Sequence, residues 1–458
     1  MTTRVLVPAA VGAPAAPRGR LSWSFTPRTL RLLCLGVPLF ALVWLDRRAL
    51  AVVALWDLVV FAAWAIDLRR LPAPDAVTVT RTWHATATLG APQRVTLGIA
   101  NASTVALHLQ AIDFVSPTLR AAPAEVTVHV PARASGAAEY DVLPVERGDA
   151  RLDAVALRYR SPLGLAERWA RASLPQIVRV YPDIADAQRQ ALSLIRARHS
   201  VIEKRRAVAH GLGRDFDGLR DFQPGDELRD VCWTATARRG KLVTRTYRPE
   251  RSQAVWLVVD AGRLMRARDG RHSSLDRAVN AAFALAQVAS AAGDRVGLLA
   301  YGRRTQQRVP PGRGAAHLRT LLDALALVSA ETAEANHVRA AATLMSAQKR
   351  RALVVWLTDV AEAAAVPEVI DSAARLVPRH VLLFAVTRPA ELSALAALVP
   401  DTDRDLYRVM AAQEMVERRA VLLGQLRQRG AMAIEVGSAE LTGTVVNRYL
   451  GVRARNLL

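Results

Sequence analysis

The hydrophobic pattern changes character several times along the chain, and each regime predicts a different element. Residues 1–27 are rich in Ala, Pro and Arg and have neither helical nor strand periodicity, which predicts an unstructured basic tail. Leu32 to Leu45 carries no charge, Asp46-Arg47-Arg48 interrupts, and Ala49 to Ile66 is apolar except for Asp57. A crossing helix needs about 20 mostly apolar residues. The pattern therefore predicts two transmembrane helices in 28–70, about 29–45 and 49–67, the first lengthened by Arg28 and Arg31 reaching back to the interface. Trp44 and Trp64 fall where interfacial aromatics anchor such helices.

Beyond Val77 the period drops to two. Runs such as Val77-Thr78-Val79-Thr80, Val95-Thr96-Leu97-Gly98-Ile99 and Val126-Thr127-Val128-His129-Val130 read as half-buried strands. Breaks at Gly90-Ala91-Pro92, Asn101-Ala102-Ser103, Pro131 and Arg147-Gly148-Asp149 recur at the spacing of a small antiparallel sandwich. The pattern predicts an immunoglobulin-like β-sandwich over 75–180, with His84, His108 and His129 as surface residues of its strands. A charged connector occupies 181–250, and 251–458 alternates strand-like and helical runs. Those runs are strands at 254–259, 295–301, 352–357, 380–386 and 431–436, with helices at 274–291, 315–328, 403–429 and 439–450. Such alternation predicts a doubly wound α/β domain, mostly parallel.

At 458 residues the chain is long enough for two or three domains, and at 51% hydrophobic composition most of it can fold. The net charge of +21 raises nucleic-acid binding, but the arginines are dispersed and intermixed with acids, and no recognition helix or aromatic-interleaved RNA motif is present. A basic surface beside anionic membrane lipid accounts for the charge more economically. Two cysteines, Cys34 and Cys232, fit neither a disulfide framework nor a zinc site. Arg18, Arg20, Arg28 and Arg31 before the first span and Arg69 and Arg70 after the second outnumber Arg47 and Arg48 between them. The positive-inside rule then gives a multi-pass inner-membrane protein with its soluble domains in the cytoplasm. Asp57, at membrane depth, is either a functional group facing a partner or water path or, on the plainer reading, is protonated or pairs with a neighbouring helix or subunit.

The most distinctive stretch is 211–247. Pro224-Gly225 suits a type II turn, and Arg220, Arg229 and Arg238 can pair with Asp215, Asp217, Asp221, Asp226 and Asp230, either as a structural ion-pair network or as a functional site. The order Asp215-Phe216-x-Gly218-Leu219-Arg220, Pro224-Gly225-Asp226, Arg229-Asp230, Trp233, Ala235, Ala237-Arg238 and Leu242 resembles the bacterial family called domain of unknown function 58. The resemblance implies two membrane helices, a strand-rich region, the charged motif and a von Willebrand factor A-like domain. It also implies a partner, since such proteins are commonly encoded beside AAA+ ATPases of the MoxR type. Cys232 departs from the family, which more often carries Asp before the Trp.

A von Willebrand factor A-like domain implies a divalent-cation site at the carboxyl ends of its strands, where Asp260 and Asp359 fall. The adhesion motif Asp-x-Ser-x-Ser is replaced by Asp260-Ala261-Gly262-Arg263-Leu264, and no threonine stands near Gly312-Arg313-Gly314-Ala315-Ala316 to complete it. The expectation is a degenerate remnant without Mg²⁺ or other cofactor, its aspartates capping or bonding to loops. No phosphate-binding loop, His-Glu-x-x-His, Gly-x-Ser-x-Gly or Cys-x-x-Cys occurs. The function expected is a membrane-anchored, non-catalytic adaptor working with a MoxR-type ATPase in a chaperone-like or envelope-related assembly. Its docking residues would be Arg220, Asp226, Arg229, Asp230, Trp233 and Arg238. The alternative is a metal-dependent hydrolase using Asp260 and Asp359.

Overall fold

The computed structural model describes residues 15, 23–40, 49–183, 215–223, 226–248, 253–359, 366–388, 390–455 and 457. These form two compact units, divided between Tyr181 and Pro182, in a multidomain α/β chain.

The first unit opens with strand β1 (Trp23–Phe25) and helices α1 (Pro27–Cys34), α2 (Gly36–Phe40) and α3 (Ala49–Arg70). Seven further strands follow: β2 (Val77–Trp83), β3 (Gln93–Asn101), β4 (Leu107–Asp113), β5 (Ala124–Val130), β6 (Ser135–Val142), β7 (Gly148–Arg160) and β8 (Ala166–Val180). They make an antiparallel sheet in the order β1-β8-β7-β4-β5 and another in the order β2-β3-β6, and both contribute to one apolar core. Strict alternation along β2 sends Val77, Val79, Arg81 and Trp83 inward. Arg81 is tolerated there because its guanidinium forks onto Asp113 at 2.8 and 2.5 Å and donates to the Leu174 carbonyl, while Tyr140 donates to the same carboxylate.

The amino-terminal segment differs from the tail expected over 1–27. Trp23–Phe25 extends the five-stranded sheet by pairing with β8, and Ala15 bridges Val79 of β2, in the three-stranded sheet. Trp64, expected at a lipid interface, is instead buried against Trp23 and Phe25 at ring-centroid distances of 5.0 and 4.6 Å. Burying a large ring against two others outweighs an interfacial position, because aromatic pairs add to simple area burial.

The last turns of α3 join the sheet through Asp67. Its buried carboxylate accepts from the Ser161 hydroxyl and from the Leu163 and Leu165 amides, the latter at 3.3 and 3.0 Å. Higher up, Leu50, Val52, Leu55, Leu58, Val59 and Phe61 lie exposed. Among the described residues one helix, Leu50–Arg70, is long and apolar enough to cross a membrane. The first expected span is described only as α1 and α2, and residues 41–48, with Trp44, lie outside the described residues. α1 and α2 pack along α3, where Trp56 donates to the Leu32 carbonyl and a Cβ at Gly36 would meet Trp56 and Asp57.

The second unit begins with a small antiparallel pair, β9 (Asp215–Asp221) and β10 (Val243–Arg248), flanking the short helix α4 (Trp233–Arg239). Strand β11 (Ala254–Asp260) then starts the α/β body; a tiny hairpin, β12 (Arg268–Asp269) and β13 (His272–Ser273), leads into α5 (Ser274–Ala291). Then come β14 (Arg295–Tyr301), β15 (Thr305–Gly312), α6 (Gly314–Ala326), α7 (His337–Ala347), β16 (Leu353–Thr358), α8 (Val366–Leu376) and β17 (Val381–Arg388). The chain closes with α9 (Ala390–Ala396), α10 (Asp403–Gln428), β18 (Met432–Gly437) and α11 (Leu441–Ala454). The sheet order is β15-β14-β11-β16-β17-β18, parallel except for β15, so it is mixed. Every residue of β11 and of β16 is buried, as two covered faces require, which is why both read as unbroken apolar runs. A Ser273–Asp276 capping box starts α5.

Candidate functional site

The charged motif folds around the β9–β10 pair. Phe222 N–H donates to the Leu242 carbonyl and Cys232 N–H to the Val243 carbonyl, which closes the intervening segment onto β10. A single 3₁₀ turn, Leu228–Asp230, leads into α4, which ends at Gly240 with φ 64°, a left-handed conformation that suits glycine. Asp226 fixes the turn: it accepts from the Gln223 amide at 2.9 Å and from Arg220 at 2.6 Å. The Gln223 N–H and then the Arg220 guanidinium hold its carboxyl below the usual carboxylate range. Arg229 pairs with Glu227 rather than with an aspartate, and both are exposed.

Above this scaffold the side chains point outward. Leu228 is 68% and Trp233 65% exposed, and Arg238 and Arg239 occupy the exposed last turn of α4. Cys232 beneath them is buried, its thiol pulled down to about 7 by the Thr234 hydroxyl, the Ala235 N–H and Arg245. The Pro224-Gly225 turn lies outside the described residues, as do the side chains of Asp215 and Asp217.

At the carboxyl edge of the large sheet, Asp260 ends β11. It accepts from Gly262 N–H at 2.7 Å and from the Thr358 hydroxyl at 2.5 Å. Burial pushes its carboxyl up to about 6, against the pull of those two donors and with a smaller push from Glu331. Asp359 accepts from Arg419 of α10 at 2.8 Å, and Arg419 also donates to Glu435 at 3.2 Å. Arg419 also donates to the Thr387 carbonyl and is itself buried. Arg263, which the sequence places beside the expected cation, lies instead 3.6 Å from Glu334 at the surface. Behind Asp260, Tyr301 is hydrogen-bonded to His337 at 2.9 Å and accepts from the Trp356 indole at 2.7 Å. Burial lowers the His337 imidazole to about 4, so it is neutral near pH 7.

The family model described as "Protein of unknown function DUF58" matches residues 218–404, from the motif through most of the α/β body. Over that stretch the chain is similar to the DUF58 family. Two curated relatives match part of this chain: an uncharacterized protein of Mycobacterium tuberculosis, Rv1480, is 30% identical over 151 residues, 32% of this chain and 48% of its own length. The uncharacterized protein YeaD of Bacillus subtilis is 28% identical over 123 residues, 26% of this chain and 30% of its own. The chain thus spans about half the length of the first of these relatives, and less of the second. Among solved structures, the conserved hypothetical protein BatB from Bacteroides thetaiotaomicron aligns with 44% of this chain and all of its own, at 14% identity and a TM-score of 0.28.

The DUF58 stretch brings Arg220 and Asp226 together, exposes Leu228, Arg229 and Trp233 around the buried Val231 and Cys232, and turns Arg238 outward on the following helix. It links Asp260 to the segment bearing Asp359 through Thr358. Sequence reasoning missed Arg419 and Thr358 as members of that edge. Thr358 stands next to Asp359 and could have been found there; Arg419 lies in an arginine-rich helix where nothing local marks it out.

Proposed function

We propose that this chain is a membrane-anchored, non-catalytic interaction protein whose DUF58 motif docks an AAA+ ATPase of the MoxR type. The observation that carries the reading is the pairing of a pinned base with an exposed apolar crown. Arg220 and Asp226 hold the turn, while Trp233 and Leu228 stand more than three-fifths exposed among Arg229, Arg238 and Arg239. A solvated Trp beside cations is a poor arrangement for an isolated monomer and a good one for an interface, where Trp and Arg dominate hot spots. The cationic rim favours an acidic partner surface.

The anchor in this reading is a hairpin in the inner membrane with both ends on the cytoplasmic side. Supporting this, β1 before α1 and Asp67 at the end of α3 attach to the same strand, β8, or to the turn that leads into it. The exposed apolar side chains of α3 are suited to lipid. The two sheets around one core suit an immunoglobulin-like module, and the mixed sheet with Asp260 at the end of a central strand suits a von Willebrand factor A-like body.

The test is binding between the purified chain in nanodiscs and a MoxR-type ATPase from the same genome. Trp233→Ser and Leu228→Ser should each weaken binding, the Trp change by roughly 30-fold, as loss of a hot-spot residue does. Failure of the wild-type chain to bind, or wild-type affinity in both variants, would count against the reading.

A further inference from the structure

Helix α3 has the length to cross a membrane, but its last turns are already committed elsewhere. Trp64 and Leu71 belong to the apolar core of the first unit, and Ala63, Ala65 and Leu68 pack against that core. Asp67, between them, is buried and bonded to the turn that joins β7 to β8. From Ala63 onward the helix is part of the sandwich, which leaves 49–62 to meet lipid. At about 1.5 Å per residue that stretch is about 21 Å long, against a hydrocarbon core about 30 Å thick.

The other arm is held at the same turn. The Thr26 hydroxyl donates to the Gly164 carbonyl at 2.6 Å and the Thr26 amide to the Leu165 carbonyl at 3.2 Å. The Thr29 hydroxyl donates to the same Leu165 carbonyl, and Arg28 reaches the Leu163 carbonyl at 3.5 Å. A span shorter than the bilayer is accommodated by thinning the bilayer or by drawing the flanking groups into its interface. The groups flanking this hairpin suit the second course. Leu163 in the turn is 52% exposed, and Trp23, stacked edge-on against Trp64, is 43% exposed. Arg28, against the turn, and Arg69 and Arg70, just past Asp67, are exposed as well. Tryptophan rings favour the boundary between hydrocarbon and headgroups, and arginines near helix ends reach the phosphates there. The shortfall of about 9 Å falls within the roughly 5–10 Å to which interfacial elements sink.

We propose that the base of the sandwich is itself a lipid-binding surface: the 161–166 turn and β1 lie in the headgroup layer, with Leu163 and Trp23 against acyl chains and Arg28, Arg69 and Arg70 on phospholipid phosphates. The inference rests on the reading of the hairpin as a membrane anchor. It makes the sandwich a foot seated in the membrane rather than a spacer held clear of it.

The test is site-specific photocrosslinking of the full chain in phospholipid nanodiscs, with benzoylphenylalanine replacing one residue at a time and mass spectrometry reading the adduct. The positions are Val59, exposed on the free part of α3, then Leu163, Trp23 and Val145. Val145 precedes β7 at the end of that strand away from the turn, roughly 40 Å off for a strand of this length. Val59, Leu163 and Trp23 should each gain the mass of one phospholipid, and Val145 should gain none. Should replacement at 163 loosen the turn, Pro162, exposed beside it, takes the probe. Adducts at Val59 with none at Leu163 and Trp23 would overturn the proposal and leave the anchor standing, the bilayer then thinning around the helix. A lipid adduct at none of the positions would overturn the anchor and the proposal together. A crosslinked protein dimer from Leu163 in place of the lipid adduct would give this face to a second copy of the chain and overturn the proposal.

Discussion

Asp260 and His337 flank Tyr301, one by strand register and the other by a hydrogen bond, and their protonation preferences oppose each other. The Asp260 carboxyl rises from 3.8 to about 6. It holds its proton more tightly folded than unfolded, so its contribution is present in acid and lost as pH rises towards 6. His337 falls from 6.5 to about 4 and is favoured neutral, so its contribution is present above 6.5 and lost as pH falls towards 4. At about 1.4 kcal/mol per pKa unit each is worth about 3 kcal/mol, and the two nearly cancel between pH 4 and 6. Urea unfolding should therefore give a nearly flat contribution from this pair in wild type. Asp260→Asn should expose a loss of about 3 kcal/mol on acidification, and His337→Gln the opposite slope; parallel profiles for all three proteins would contradict the assignment. Single side chains were the least legible part of the sequence. Arg81 falls on an inward position of an alternating strand, and only a partner 32 residues away, Asp113, explains how it stays there. Arg419 finds Asp359 across 60 residues, a contact no local pattern encodes.

At the scale of elements, periodicity carried much further. The apolar runs ending at Asp260 and Thr358 and the helix Ser274–Ala291 were readable, because buried parallel strands and a capped helix each leave a local signature. The antiparallel strand Thr305–Gly312 was not, since Pro310 and Pro311 argue against a strand unless it lies at a sheet edge, where it does lie. Nor was Trp23–Phe25, too short for any period and ordered only by pairing with Ala166–Arg168. The joint at Asp67 gives an element-level prediction. Asp67→Ala would leave the Leu163 and Leu165 amides without their acceptor, at a cost of about 1–3 kcal/mol for the buried Leu165 amide, Leu163 being exposed. Limited proteolysis should then cut near residues 161–165 faster than in wild type, while a tryptic pattern unchanged there would mean that the helix is held by apolar packing alone.

For the whole molecule, composition and charge excluded more than they identified. The dispersed +21 argued against a nucleic-acid interface, and the absence of catalytic motifs turned attention to surfaces. What remained was a stretch whose residue order is that of DUF58 and whose fold exposes a tryptophan and a leucine over an ion-paired base. The account rests on that surface being an interface in the membrane-bound protein. Crosslinking and mass spectrometry on the tagged full-length chain in its native membrane, comparing wild type with Asp226→Ala plus Arg229→Ala, test it most directly. The account predicts crosslinks from the 226–239 segment of wild type to a MoxR-type ATPase, and their loss in the double variant with membrane association retained. Equal capture of the ATPase by both proteins, or crosslinks that bypass this segment altogether, would contradict it.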